Sequence, residues 1–131
     1  MSTWVWVPLA ALHVVHDRQI ARHGGAPGTR DLALLEMGCT RPTNRATYGD
    51  ADVFSIAAAY AYGIAKAHAF VDGNKRTAFV ASFTFLRLNS VALRPDPAMG
   101  VRMMEDLAAD HVSEEDFAAW LREFGSGDTK A

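Results

Sequence analysis

The sequence predicts a compact, single-domain, all-α protein, and three observations carry that prediction. Apolar residues recur at helical spacing along most of the chain, while strict alternation is scarce. Two segments, DVFSIAAAYAYGIAKA and NKRTAFVASFTFLRLN, are apolar on nearly every face, the pattern of helices enclosed by other helices. Half of the 131 residues are hydrophobic and a fifth are charged, the balance of one globular domain able to bury roughly two thirds of its unfolded surface.

Taken in order, Pro8 fits the first turn of a helix over LAALHVVHDRQIARH, where its missing N–H costs nothing, and Gly24-Gly25 stops it. GAPGTRD reads as a turn, with Thr29 placed to cap a short helix, RDLALLEMG. Residues 39–52, CTRPTNRATYGDAD, hold Pro42 and Gly49 and lack periodicity, which predicts a loop or at most a short hairpin. The first enclosed helix runs from Asp52 to Ala67, and AFVDGN connects it to the second, after which RPDP breaks the chain. An amphipathic helix is expected from about Met99 to Ala108. Ser113 with Asp116 then reads as a capping-box start for EEDFAAWLREF, which Gly125 ends. The polar, Gly-rich GSGDTKA predicts a flexible C-terminal tail, so the expected domain covers residues 1–124 and the tail 125–131. Trp4, Trp6 and Trp120 read either as core or as the lining of a partner groove.

Charge and composition narrow the partners. A net charge of −2 and a pI near 6.2 leave no basic footprint for duplex nucleic acid or an anionic membrane, so neither is expected as a partner. Cys39 has no second cysteine to pair with and reads as a small buried thiol in a reducing compartment. The apolar run near the N-terminus has no Lys or Arg before it, and no stretch reaches the ~18 apolar residues of a membrane span. A cytoplasmic protein is expected.

The informative stretch is HAFVDGNKRTAF, residues 68–79, which places His68, Asp72, Asn74, Lys75 and Arg76 between the two most apolar segments. A helix start offers unpaired N–H groups and partial positive charge, so backbone donors around Gly73 to Arg76 fit a phosphate. Lys75 and Arg76 add full charges at an end where cations oppose the helix dipole, an arrangement an anionic ligand offsets. Gly73 allows close backbone approach. Asp72 supplies the single hard oxygen ligand that Mg²⁺ needs when phosphates and water supply the rest. His68, with an unperturbed pKa near ~6.5, suits proton removal from an attacking hydroxyl. Taken singly, each has a structural reading: a satisfied core histidine, an N-cap aspartate, solvated surface cations. Their joint occurrence in one turn points to transfer of a phosphorus group.

The run resembles the H-x-F-x-D/E-G-N motif of the Fic/Doc family, and KRTA after it resembles the Doc branch, the death-on-curing toxins of toxin–antitoxin systems. LHVVHDRQIARHGGAPGTRDLALLEMGCTRP is similar to the family's opening segment and VSEEDFAAWL to its closing helix. The resemblance implies a compact Fic/Doc-like helical bundle whose two central helices flank the active-site loop. It implies His68 as general base, Asp72 on Mg²⁺, and Gly73, Asn74, Lys75 and Arg76 around the phosphates of ATP, with Phe70 anchoring the loop. Fic enzymes that transfer AMP read G-N-G-R-x-x-R, whereas this chain has Lys75 in place of the second glycine and Phe79 in place of the second arginine. The implied activity is therefore a Doc-like protein kinase that phosphorylates a threonine of elongation factor Tu and inhibits translation, with AMP transfer as the alternative. A separate cognate antitoxin is implied as partner, because no internal S/T-x-x-x-E-G/N inhibitory motif is present.

Three further readings stand beside this one. Residues 40–52 could serve as a flap along which an extended target segment pairs its backbone, or as a plain connecting loop. The pair His16-Asp17, with His13 one turn earlier, resembles the metal-binding pair of HD-type phosphohydrolases, although neighbours on a helix point about 100° apart. A catalytically inactive antitoxin-binding module is the non-enzymatic reading.

Overall fold

The computed structural model describes residues 3–128, with side chains to residue 124. Six α-helices follow in order: α1 (Leu9–His23), α2 (Leu32–Thr47), α3 (Val53–Ala67), α4 (Asn74–Leu88), α5 (Pro97–Ala108) and α6 (Glu114–Asp128). Among the described residues the only strand-like feature is an isolated antiparallel bridge between Thr29 and Phe70. The all-α class expected from the hydrophobic pattern is the class observed.

Local signals account for most helix ends. Pro8 precedes α1 in an extended conformation, and Gly24, at φ 82°, closes it. Asp52 Oδ1 accepts from the Ser55 N–H (2.8 Å) to start α3, Asp96 Oδ2 from the Met99 N–H (3.2 Å) to start α5, and Ser113 Oγ from the Asp116 N–H (3.0 Å) to start α6. Two starts differ from expectation. Asp31, not Thr29, caps α2, and α5 begins at Pro97, two residues before Met99, because Pro suits the first helical position.

The larger correction concerns residues 39–52. They do not form a loop or hairpin: α2 continues through Pro42 to Thr47. A proline inside a helix frees the carbonyl four residues earlier, here that of Gly38. That carbonyl lies against Gly63 of α3, so close that a side chain on Gly63 would collide with it, and a Cβ on Gly38 would stand 2.7 Å from the Gly63 oxygen. The helix nonetheless continues to Thr47, packed along α3 at this close crossing. Its polar look comes from threonines that donate back to the helix, Thr43 Oγ1 to the Thr40 carbonyl (2.8 Å) and Thr47 Oγ1 to the Thr43 carbonyl (2.9 Å). The flap reading fails over residues 40–47, since a helical backbone has no free edge to pair with a target. Likewise Gly125 does not end α6, whose backbone remains helical to Asp128; the rest of the expected tail, residues 129–131, lies outside the described residues.

α3 is the central helix, buried over Ser55–Ala61 and Gly63–Ala65 and packed on α2, α4 and α6. α4 is buried along one face (Thr77, Ala78, Ala81, Ser82, Phe85, Leu86) and receives α1 and α5 on its other sides. Trp4 and Trp6 lie against Phe85, and Trp120 against Phe117 and Phe124, so all three tryptophans pack at the core margin. Cys39 is partly buried, and burial with the neighbouring Glu36 charge pushes its thiol up to about 11. Among the described residues no helix is long and apolar enough to cross a membrane.

Candidate active site

The candidate site is the turn between α3 and α4, and its shape is imposed by the chain between α1 and α2. Ala69 O accepts from the N–H groups of Arg30 (2.7 Å) and Asp31 (3.0 Å), and the Val71 N–H donates to Gly28 O (3.0 Å). These bonds flank the Thr29–Phe70 bridge, so residues 28–31 and 69–71 run as a short antiparallel pair. From within, the Asn74 side chain closes the turn: its Oδ1 accepts from the Phe70 N–H (3.0 Å) and its Nδ2 donates to the Phe70 carbonyl (3.0 Å). Phe70 itself is buried and stacks on the ring of His16 at 3.9 Å with an 8° interplanar angle.

His68 stands at the C-terminal end of α3, exposed, with φ 51° and ψ 41°. A left-handed conformation costs a non-glycine residue roughly 1 kcal/mol, so something must hold it. Arg30 does, placing both Nε (3.0 Å) and Nη2 on the His68 carbonyl. The carbonyl is thus held by Arg30 and the imidazole is left on the surface.

Asp72 is exposed, and each carboxylate oxygen has a backbone donor, Gly73 N–H on Oδ1 (2.8 Å) and Ala26 N–H on Oδ2 (3.3 Å). Those two bonds, with a smaller contribution from the neighbouring Arg76 charge, hold its carboxyl below the usual carboxylate range. Gly25, at φ 115°, lies so near that a Cβ there would meet Oδ2 at 2.7 Å. Gly73 adopts φ 76° and starts α4 without any side-chain cap, so the first turn keeps donors that a Ser or Asp cap would otherwise engage. Lys75 is exposed at that end. Arg76 donates from Nη2 to the Gly24 carbonyl (3.1 Å), while its Nε is buried with no partner among the described residues.

The sequence-predicted residues therefore fall into two groups. Asp72, Gly73 and Arg76 converge with Gly24–Ala26 at the start of α4, and His68 stands at the other end of the same turn. The Asn74 amide is engaged with Phe70, so what this residue can offer a phosphate is its backbone N–H. One carboxylate beside uncapped helix N–H groups, two cations and an orphaned guanidinium nitrogen fits a Mg²⁺-bound polyphosphate, because Mg²⁺ takes its remaining ligands from phosphate and water. Among the described residues no group of three His, Cys, Asp or Glu side chains forms a metal cluster. That removes the support for the His16-Asp17 metal reading: His16 is 2% exposed, stacked on Phe70, while Asp17 lies 79% exposed at 3.9 Å.

His16, Gly25 and Arg30 are the residues that reading the sequence did not place at the site. Nothing in local spacing marks them, since their partners lie 38 to 56 residues away. A second concave surface, of about 580 Å³, lies between α2 and α3 and is lined by Leu34, Met37, Arg41, Tyr62, Lys66 and Ala67 among others. Arg41 crosses it to Glu114 and covers the Tyr62 ring at 4.4 Å. It reaches Ala67, the residue before His68, yet contains none of the motif residues.

Comparison with known proteins identifies the family. The model of the Fic/DOC family matches residues 6–86. The chain is 37% identical to the protein kinase doc of Escherichia phage P1 over 89 residues, covering 67% of this chain and 71% of that protein. It is 42% identical to the toxin Doc of Mycolicibacterium smegmatis over 88 residues, covering 64% of this chain and 65% of that protein. The matched residues contain the whole of α1 to α3 and the turn from His68 to Arg76, and on that ground the chain belongs to the Fic/DOC family.

Proposed function

We propose that this protein is the toxin of a toxin–antitoxin system, a protein kinase that moves the terminal phosphoryl group of ATP to a hydroxyl of a target protein. The observation that carries the reading is the division of one turn into an exposed imidazole at the end of α3 and an ionised carboxylate beside the uncapped start of α4. His68 takes the proton of the target hydroxyl as its oxygen bonds to the terminal phosphorus. The bond from that phosphorus to the bridging oxygen breaks and ADP leaves, carrying the electron pair. Asp72 would hold Mg²⁺, which would supply neutralisation of phosphate charge; Gly73, Asn74, Lys75 and Arg76 would bind the phosphates through backbone N–H groups and cationic side chains.

Phosphoryl transfer is favoured over AMP transfer by Phe79. Where AMP-transferring enzymes have an arginine, this chain has the apolar ring of Phe79, tilted 32° to Phe83 at 4.5 Å and packed on Gly100 of α5, so it offers no cationic phosphate clamp. The name of the phage relative, a protein kinase, supports the same choice. A threonine of elongation factor Tu or a similar protein is the proposed target, with inhibition of translation as the outcome. The groove between α2 and α3, where Arg41 and Glu114 pair beside Arg45, Lys66 and the apolar Leu34 and Met37, supports a segment of a cognate antitoxin as the partner docked there.

The test is incubation of the purified protein with ATP, Mg²⁺ and a bacterial lysate, followed by intact-mass analysis of the modified proteins. A gain of one phosphoryl group that disappears in His68→Ala is expected. A gain of AMP would replace the kinase with the Fic-type activity, and no gain with folded protein would leave a binding module.

A further inference from the structure

His16 is the most buried titratable side chain near the turn, at 2% exposure, and the proposed reaction gives it no task. Its ring lies flat on Phe70 at 3.9 Å, and its Nε2 is 2.7 Å from the backbone carbonyl of Asp72. A carbonyl only accepts, so Nε2 carries the hydrogen at that contact. The Asp72 residue is thereby fixed at three points: its carbonyl by His16, one carboxylate oxygen by the Gly73 N–H and the other by the Ala26 N–H. One turn further along α1, Ile20 closes the same face, its Cδ1 standing 3.1 Å from where a Gly73 Cβ would lie. Helix α1 thus presents a donor and an apolar stop, four residues apart, to the carboxylate-bearing bend.

We infer that His16 is a positioning residue, which sets the direction of the Asp72 carboxylate by holding the Asp72 carbonyl. The inference rests on the proposed reading of Asp72 as the group that faces Mg²⁺ and phosphate. A buried histidine serving only as core filling needs its ring; a positioning residue needs its N–H. His16→Phe keeps the flat ring on Phe70 and removes the donor, whereas His16→Gln keeps a donor of similar reach and removes the stack.

Two measurements separate these roles. The first is hydrogen exchange at the Ala26 and Gly73 amides, the two donors to the carboxylate, which needs no ligand. Both should lose protection in His16→Phe, with exchange in α3 and α4 unchanged, and recover at least partly in His16→Gln. The second is the Mg²⁺ concentration needed for half-maximal ATP binding by calorimetry. Loss of a residue that orients a metal-facing group weakens metal affinity by roughly 10–100-fold, so a rise of about tenfold or more is expected for His16→Phe. If His16→Phe matches the native protein in both, His16 is core filling and the inference falls; if His16→Gln is as impaired as His16→Phe at the two amides, a donor at this position is not what directs the carboxylate, and the inference falls as well. Should the native protein itself bind ATP without regard to Mg²⁺, the reading of Asp72 falls, and the exchange result still decides whether His16 positions it.

Discussion

Arg30 grips the carbonyl of His68 with two nitrogens of one guanidinium, across 38 residues of sequence, and so keeps a non-glycine residue left-handed at the end of α3. The geometry of the proposed general base is therefore decided by a side chain in another loop. Loss of both bonds in Arg30→Ala frees the His68 peptide to return to a right-handed conformation, which swings the imidazole.

Small misplacements of a reacting group cost up to about 10²-fold in rate. Arg30→Ala is accordingly expected to lower target phosphorylation by about tenfold or more, read by quantitative mass spectrometry, with ATP binding near native because the α4 start is untouched. Thermal stability should fall only slightly, as the bonds are solvent-exposed. Unchanged phosphorylation in Arg30→Ala would show that His68 needs no such grip.

Asn74→Ala removes both bonds to Phe70 and leaves a part-buried N–H and carbonyl without their partners. A loss of about 1–3 kcal/mol in urea unfolding is expected. Asn74→Asp retains the acceptor for the Phe70 N–H and should lie between native and Asn74→Ala. If Asn74→Ala unfolds at the native urea midpoint, the turn is held by its other contacts alone.

Gly63→Ala places a methyl group against the Gly38 carbonyl at the α2–α3 crossing. The obstacle is backbone in a helix and cannot rotate aside, so the helices must separate. A destabilisation of about 1–3 kcal/mol is expected, with a shift of urea midpoint at constant m value. An equally stable Gly63→Ala protein would contradict the close crossing.

The Asp52–Arg122 pair makes a prediction in pH. Partial burial pushes the Asp52 carboxyl up, but hydrogen bonds from Arg122 and Ser55 and the Arg122 charge outweigh it, bringing the group from its ordinary 3.8 to about 2. A carboxylate lowered by folding contributes stability above its unfolded pKa, and that contribution disappears as pH falls through the folded value. Asp52→Asn keeps a cap for the Ser55 N–H and loses the ion pair. The difference in melting temperature between native protein and Asp52→Asn should be constant above about pH 5 and shrink toward pH 2; a gap that widens on acidification would be the wrong sign for this pair. Both side chains are substantially exposed, so the gap itself is modest.

How legible the molecule was in its sequence depends on the range of each interaction. The α3 and α4 helices were legible because enclosure makes every face apolar, and the starts at Asp52 and Ser113 because a cap acts within three residues. The turn from His68 to Arg76 was legible because incompatible polar groups were crowded between those helices. The second half of α2 was not, since Pro42 locally argues for a stop and the packing of that stretch on α3 is not visible at short range. The same holds for His16 and Arg30, whose meaning lies in carbonyls that the fold brings to them from far along the chain. Composition fixes none of these.

The paired segments 28–31 and 69–71 also bear on how portable this chemistry is. Each supplies the other with acceptors and donors, so a dodecapeptide cut out and spliced between foreign helices would arrive without its template. Transplanting the chemistry calls for the first quarter of the chain to travel with it, and selection acting on either segment is felt at once by the other.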